Sequence, residues 1–150
     1  MNNSITVLNE LQVDTFNDIL TIDQKALQAG MFNDISVTEI HTIEAIGMYG
    51  SKSMSEVANI LDITVGTLTT AIGHLVRKEY VTRRKSEEDR RMVYVSLTQK
   101  GKLAYRVHEK FHKDMVKATI EDLEEEEEKI LIKSLDKLNK FFKEKYDLKD

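Results

Sequence analysis

The sequence predicts a mainly α-helical fold of six helices with one small β-hairpin. Through most of the chain, apolar residues recur every three or four positions, as they do along one face of an α-helix. Between residues 81 and 97 this period changes to two, which is typical of β-strands. The 150 residues contain no internal repeat and no Pro- or Gly-rich linker, so we expect a single domain over residues 1–150.

The first two helices are predicted on either side of a break at Gly30. The first is long, because apolar residues keep helical spacing from residue 8 to residue 27. The second begins after Ser36, since Ser36 and Glu39 have the spacing of a capping box. Gly47 and Gly50 end this second helix.

The third and fourth helices are short, and a tight turn at Asp62 separates them. Ser53 and Glu56 repeat the capping spacing ahead of the third helix, and Thr64 is a suitable N-cap for the fourth. One face of the fourth helix is apolar, and hydroxyl and basic side chains occupy the opposite face. The fourth helix therefore has one face for a core and one for a polar ligand.

A hairpin with a charged tip follows the fourth helix. Its strands alternate apolar and polar residues on both sides of the charged residues 85–90. Residues 98–101 begin a fifth helix, and the acidic residues 124–128 fall in the first turn of a sixth, where negative charge interacts favourably with the helix dipole.

Two short helices followed directly by a hairpin form a winged helix-turn-helix. In that motif the second helix enters the major groove of DNA, and the hairpin, or wing, reaches the minor groove.

The distribution of charge agrees with a nucleic-acid-binding surface, although the net charge is −4. Residues 74–113 hold 12 basic and 5 acidic groups, whereas residues 1–73 hold 2 basic and 9 acidic groups and residues 114–150 hold 8 and 12. Local potential rather than net charge attracts phosphates, because charges act within a Debye length of about 8 to 10 Å. The basic middle of the chain is therefore the candidate surface.

Composition excludes several other classes of protein. The chain has no cysteine, and therefore no thiol nucleophile and no Cys-ligated metal centre, and it lacks nucleophile-elbow and phosphate-binding glycine motifs. We expect it not to be an enzyme. No apolar run approaches the roughly 20 residues of a membrane span, and the start lacks the basic region of a secretion signal. We therefore expect a cytoplasmic protein without a membrane partner, and an adaptor that binds only proteins is the remaining alternative class.

Three segments carry a resemblance to a known family: residues 75–81 (LVRKEYV), 89–91 (DRR) and 97–101 (LTQKG). They resemble the MarR family of bacterial transcriptional regulators. Residues 16–20, 34–36, 41–43, 66–70 and 111–113 are similar to its FabT branch, which controls fatty-acid synthesis genes. Asp62 and Glu79 depart from the family pattern, since they stand where glycine is frequent. Both are expected in the left-handed conformation, which costs a non-glycine residue about 1 kcal/mol.

The resemblance implies a homodimer that binds a pseudo-palindromic operator in double-stranded DNA. It places the winged helix-turn-helix head at about residues 36–97 and the dimerisation helices at about residues 5–28 and 98–146. It also implies a repressor of fatty-acid biosynthesis, with long-chain acyl carrier protein as co-repressor. A regulator of another small-molecule response is an alternative within the same family.

Residues on the fourth helix and the wing are the expected DNA contacts. Thr64, as N-cap, would leave the N–H groups of Val65 and Gly66 directed at a phosphate. Threonine hydroxyls and methyls on the exposed face suit phosphates and base edges. By resemblance, the carboxylate of Asp89 braces the hairpin and Arg91 enters the minor groove, where a guanidinium is favoured. The full predicted set is Thr64, Val65, Gly66, Thr67, Thr69, Thr70, His74, Arg77, Arg83, Arg84, Lys85, Asp89, Arg90 and Arg91.

A candidate effector site consists of apolar residues around the first two helices, where a tunnel for an acyl chain could open. These residues are Ile19, Leu20, Ile22, Met31, Phe32, Ile40 and Ile43. All seven have an alternative role as ordinary core residues. A basic strip on the fifth helix could meet an acidic carrier protein or remain solvated; it comprises Lys102, Arg106, Lys110 and Lys113.

The histidines suggest an alternative effector. His108 and His112 lie four residues apart on one helix, a spacing that can chelate zinc, and His41 could complete three ligands. A zinc-sensing branch of the same family is similar at these positions. We favour structural roles for the histidines and expect no bound metal or cofactor, because no thiolate is available and the FabT-like segments carry histidines in the same places.

Overall fold

A computed structural model describes residues 2–148 of the chain, with six helices and three strands in that range. This confirms the predicted mainly α-helical fold with a wing. In chain order the elements are α1 (Asn2–Ala29), α2 (Val37–Ile46), β1 (Lys52–Ser53), α3 (Met54–Leu61), α4 (Val65–Arg77), β2 (Val81–Lys85), β3 (Val93–Leu97), α5 (Gln99–Ile120) and α6 (Glu125–Tyr146).

The chain forms two compact units. The first runs to His108 and the second begins at Glu109, so the boundary falls within α5. The first unit contains the helix-turn-helix, the wing and the buried core. The second consists of the rest of α5 and of α6, which has no buried residue along its described length.

The wing belongs to an antiparallel sheet of three strands, with the order β1-β3-β2. Val81 pairs with Leu97 and Lys85 with Val93, as the alternating pattern predicts. The sheet also contains β1, a strand that the sequence did not predict. It pairs Lys52 with Val95 on the other side of β3. A strand of two residues is too short to show a period in the sequence. Its effect is to attach the base of the wing to the head.

The core positions α4 by its buried face. Leu68, Ile72 and Leu75 lie on one side of the helix and are fully buried against residues such as Ile43 of α2 and Val57 of α3. Burial of each such side chain stabilises the fold by about 1.5 to 3 kcal/mol. Because side chains three and four positions apart share a helix face, the opposite face of α4 must point to solvent.

Local signals end and begin the helices where the sequence predicts. Ser36 and Glu39 form a complete capping box at α2, and the hydroxyl of Ser53 accepts a hydrogen bond from the N–H of Glu56 at α3. Asp62 (φ 54°) and Glu79 (φ 67°) both adopt the left-handed conformation expected of them. The turn between α3 and α4 and the exit from α4 are thus formed without glycine.

The outer helices expose apolar side chains. On α1, Leu8, Leu11 and Leu20 are more than half exposed, and on α6 Ile130 and Leu135 are as well. Exposed apolar faces of this length are typical of protein interfaces. Over residues 2–148, no helix has the length and apolar character needed to cross a bilayer.

Candidate nucleic-acid interface

The N-terminus of α4 has a capped geometry that suits an anion. The Thr64 Oγ1 accepts a hydrogen bond from the Thr67 N–H (3.1 Å), and the two hydroxyls are 2.9 Å apart. The N–H groups of Val65 and Gly66 lie in the first turn, where a helix offers no carbonyl partner. These groups and the positive end of the helix dipole suit a phosphate.

The exposed face of α4 presents hydroxyl and basic groups in a row. Thr67, Thr70, His74 and Arg77 are all exposed, as expected for the face opposite the core. Arg77 Nη2 donates a hydrogen bond to His74 Nδ1 (3.2 Å), because a guanidinium has no acceptor. A neutral His74 therefore carries its proton on Nε2. Thr69 donates its hydroxyl proton to the Val65 carbonyl (2.8 Å), which leaves its methyl group and lone pairs for other contacts.

The wing and α4 line one cleft of about 190 Å³. Its lining includes Arg83 and Arg91 from the wing and Val65 and Thr69 from α4. Arg84 lies on the other face of the hairpin, beside Tyr94, since successive residues of a strand face opposite ways. Lys85 and Arg90 are exposed towards the tip. Arg83 and Arg91 are thus the wing cations that share a cleft with α4.

Asp89 braces the tip of the wing. Its Oδ1 accepts hydrogen bonds from both the backbone N–H and the Nε of Arg91, at 3.1 and 3.2 Å. The Arg91 side chain nevertheless remains 92% exposed. The guanidinium is therefore oriented by its hydrogen bond to Asp89 and is still accessible to a groove of DNA.

Sequence reasoning missed part of this cleft. Ser53, Met54 and Ser55 at the start of α3 also line it, together with Met92 of the wing. These residues carry no charge and come from two distant segments, so no local pattern could have assigned them.

We expect the two faces of the wing to differ in their contribution to DNA affinity. Arg83→Ala should reduce the slope of log affinity against log salt by about one unit, because one phosphate contact and its counterion are lost. Arg84→Ala, on the opposite face, is the matched control and should change the slope less. Fluorescence anisotropy over a series of salt concentrations measures both slopes. Equal slopes for the two variants would contradict the assignment of Arg83 to the DNA side of the hairpin.

Comparisons with known proteins agree with this geometry. A family model described as a winged helix DNA-binding domain matches residues 33–101. FabT of Streptococcus pneumoniae, solved in complex with DNA, is 40% identical, with a TM-score of 0.85 over 93% of this chain and 98% of that one. A MarR-like transcription regulator from Bacillus cereus is 26% identical, with a TM-score of 0.67 over 94% of this chain and 99% of that one.

The chain belongs to the MarR family of transcriptional regulators.

A curated relative is also a transcriptional regulator. The transcriptional regulator PchR of Bacillus subtilis is 27% identical over 106 residues, which are 69% of this chain. The chain spans 63% of the length of PchR. These relatives are transcriptional regulators rather than enzymes, which confirms that expectation for this MarR-family chain.

The effector residues predicted for this MarR-family chain fall into two groups. Phe32, Ile40 and Ile43 are buried in the core of the first unit. Ile19 on α1 is half-buried. The others, Leu20, Ile22 and Met31, are exposed, with Met31 at 78%. The structure therefore separates core residues from apolar side chains that are available to a ligand or partner.

His108 of α5 lies buried between two carboxylates. Its Nδ1 is hydrogen-bonded to Glu44 of α2, and its Nε2 is 3.3 Å from Asp23 Oδ1 of α1. The ring of His41, which is exposed, stands edge-on at 6.4 Å from that of His108. His112 belongs to the second unit. The two carboxylate contacts support a structural role for His108, and metal binding by these histidines stays an untested alternative.

The stability of the protein should depend on the ionisation of His108. The hydrogen bond to Glu44 raises the pKa of His108, against the opposing effect of burial. A raised pKa in the folded state means that the stabilisation is complete below the unfolded pKa of about 6.5. It is lost as the pH rises through the folded pKa. Thermal unfolding from acid to alkaline pH should show wild type more stable than His108→Gln by a margin that shrinks with pH, and a constant margin would contradict this.

Proposed function

We propose that the chain is a homodimeric repressor of fatty-acid biosynthesis genes in the cytoplasm. It binds a double-stranded operator, with long-chain acyl carrier protein as co-repressor. The observation that carries the proposal is the match to FabT, at 40% identity over 93% of this chain. The exposed hydroxyl face of α4 and the basic wing supply the chemistry that such a protein needs.

The dimer is proposed from the apolar faces of α1 and α6. A single chain leaves Leu8, Leu11, Ile130 and Leu135 more than half exposed to water. A second copy that covered them would recover the free energy of apolar burial, about 25 cal/mol per Å². Two heads related by a twofold axis would then read half-sites about 34 to 36 Å apart along the DNA.

The co-repressor is proposed from the resemblance and from the exposed apolar residues of α1 and the loop that follows it. Leu20, Ile22 and Met31 offer apolar surface to an acyl chain, and methionine adapts readily to a flexible ligand. On α5, Lys102 and Arg106 could contact an acidic carrier protein. Lys110 and Lys113 of the same basic strip pair with Asp114 and Glu109 of their own helix.

Co-repression sets a thermodynamic condition on the two ligands. The acyl chain must bind the DNA-competent arrangement of the dimer more tightly than the alternatives. Reciprocity then requires DNA to tighten acyl binding by the same factor. A ligand with equal affinity for both arrangements would have no effect on DNA binding.

The test uses a duplex selected by the wild-type protein from a random-sequence pool. Its affinity is measured with long-chain acyl carrier protein, with unacylated carrier, and with zinc after chelator treatment. Tightening by the long-chain form alone supports the proposal. A response to zinc without a response to acyl length would instead indicate a metal sensor that uses His41, His108 and His112. Failure to select any duplex would overturn DNA binding itself.

A further inference from the structure

The short connection between α4 and the wing, residues 78–80, is held in an unusual conformation. We call these residues the joint. Lys78 caps α4 in a helical conformation, Glu79 turns to the left-handed region, and Tyr80 is fully buried. Since α4 ends at Arg77 and β2 begins at Val81, the joint sets the angle between the major-groove helix and the wing.

The loop between α1 and α2 and the first turn of α2 hold the joint from one side. Tyr80 donates its hydroxyl proton to Asp34 Oδ1 (2.5 Å). Lys78 Nζ donates to the Asp34 carbonyl (2.5 Å) and to both carboxylate oxygens of Glu39 (2.9 Å each). The ring of Phe32 also packs edge-on against that of Tyr80, at 6.0 Å between centroids. Every residue of this set belongs to the first unit.

The start of α5 holds the joint from the other side. Thr98 Oγ1 donates to the Glu79 carbonyl (2.6 Å), and the Thr98 N–H donates to the Tyr80 carbonyl (3.0 Å). Lys100 Nζ donates to the Lys78 carbonyl (2.9 Å) and lies 4.2 Å from the centroid of the Tyr80 ring. The joint is thus clamped between the α1–α2 loop and α5.

Tyr80 is suited to be a permanent donor in this clamp. Burial, and then the hydrogen bond to Asp34, raise the pKa of the Tyr80 phenol well above its usual value. The hydroxyl therefore keeps its proton across the physiological range and remains a donor to Asp34.

We infer that Asp34, 46 residues from Tyr80 in the sequence, is a positioning residue for DNA binding. By fixing the Tyr80 hydroxyl, it sets the angle at which α4 and the wing meet the two grooves. The inference rests on the proposed DNA-binding function. It makes the α1–α2 loop, which also carries Met31 and Phe32, a segment whose position determines operator affinity.

The experiment compares the affinity of folded protein for the selected duplex in four variants. Asp34→Ala and Tyr80→Phe should each weaken binding about tenfold, because each removes the partly buried hydrogen bond that holds the joint. The double variant should bind no more weakly than either single variant, because both changes break the same contact. Asp34→Asn keeps an acceptor oxygen and should bind within about threefold of wild type, a smaller loss than the tenfold expected for a missing contact. The salt slope should stay that of wild type, because no phosphate contact is lost.

The folded fraction of each variant is measured by circular dichroism under the binding conditions. If stability falls but affinity per folded molecule equals that of wild type, Asp34 is only structural and the inference is wrong. Additive losses in the double variant would also overturn it. If the wild type itself selects no duplex, the proposed function fails, and the inference that rests on it fails too. If the wild type binds normally and the variants bind equally well, only the inference fails.

Discussion

Replacement of Gly101 by alanine will destabilise the first unit by about 3 kcal/mol or more, the upper range for overpacking in a core. A Cβ at this position would lie 2.1 Å from the Tyr80 carbonyl oxygen and 3.3 Å from the Leu97 Cβ. The first contact is with backbone, which cannot rotate away as a side chain can. The same carbonyl accepts the N–H of Thr98, so relief of the clash would disturb the joint as well.

Gly73→Ala is the matched control for this prediction. Gly73 lies within α4, and a Cβ there would be 3.8 Å from the end of the Arg77 side chain, an ordinary contact. Alanine in a helix is favoured over glycine by about 0.5 to 1 kcal/mol, so this variant should be stabilised. Urea unfolding followed by circular dichroism measures both free energies. Similar changes in the free energy of unfolding for the two variants would show that the close approach at Gly101 is unimportant.

Leu135→Lys will weaken operator affinity by about a hundredfold or more, because it removes the gain from two linked heads that bind one DNA molecule. Leu135 is 57% exposed on α6, a position that the proposed dimer covers. A lysine there places an unpaired charge in an apolar interface, which costs several kcal/mol. The monomer that results keeps its head and should retain weak binding to a half-site.

Glu144→Lys is the control on the same helix. Position 144 is exposed and lies on the opposite side of α6 from Leu135, since nine residues make about two and a half turns. This variant should remain dimeric and bind DNA as wild type does. Sedimentation velocity gives the mass of each species, and anisotropy gives the affinity. A wild-type protein that is a stable monomer at micromolar concentration and still binds tightly would contradict the dimer.

The features that the sequence predicts correctly are those with a local cause. The hydroxyl caps at Ser36 and Thr64 depend on contacts three residues along the chain, and the structure contains both. Asp62 and Glu79 are left-handed because the chain has to turn between α3 and α4 and between α4 and β2. The buried and exposed faces of α4 follow from helical spacing alone.

The features that the sequence could not predict are those made between distant segments. Glu44 and His108 are 64 residues apart, and Asp34 and Tyr80 are 46 apart. The strand β1 is formed only because β3 offers a free edge next to Lys52 and Ser53. Its Lys52 also donates to the carbonyls of Ala45 and Ile46 at the end of α2. Such pairings depend on how whole elements pack, and no spacing within one segment indicates them.

The position of β2 in the sheet has a consequence for solubility. β2 has β3 as its neighbour on one side, so its other side is a sheet edge of the kind that can join a second molecule's strand and start aggregation. Arg83, Arg84 and Lys85 are exposed along this edge, and their like charges repel a second copy. The cations proposed to attract DNA therefore also oppose edge-to-edge pairing of β2 with the same strand of another molecule. Neutralising all three of them together should lower the concentration at which the protein begins to aggregate.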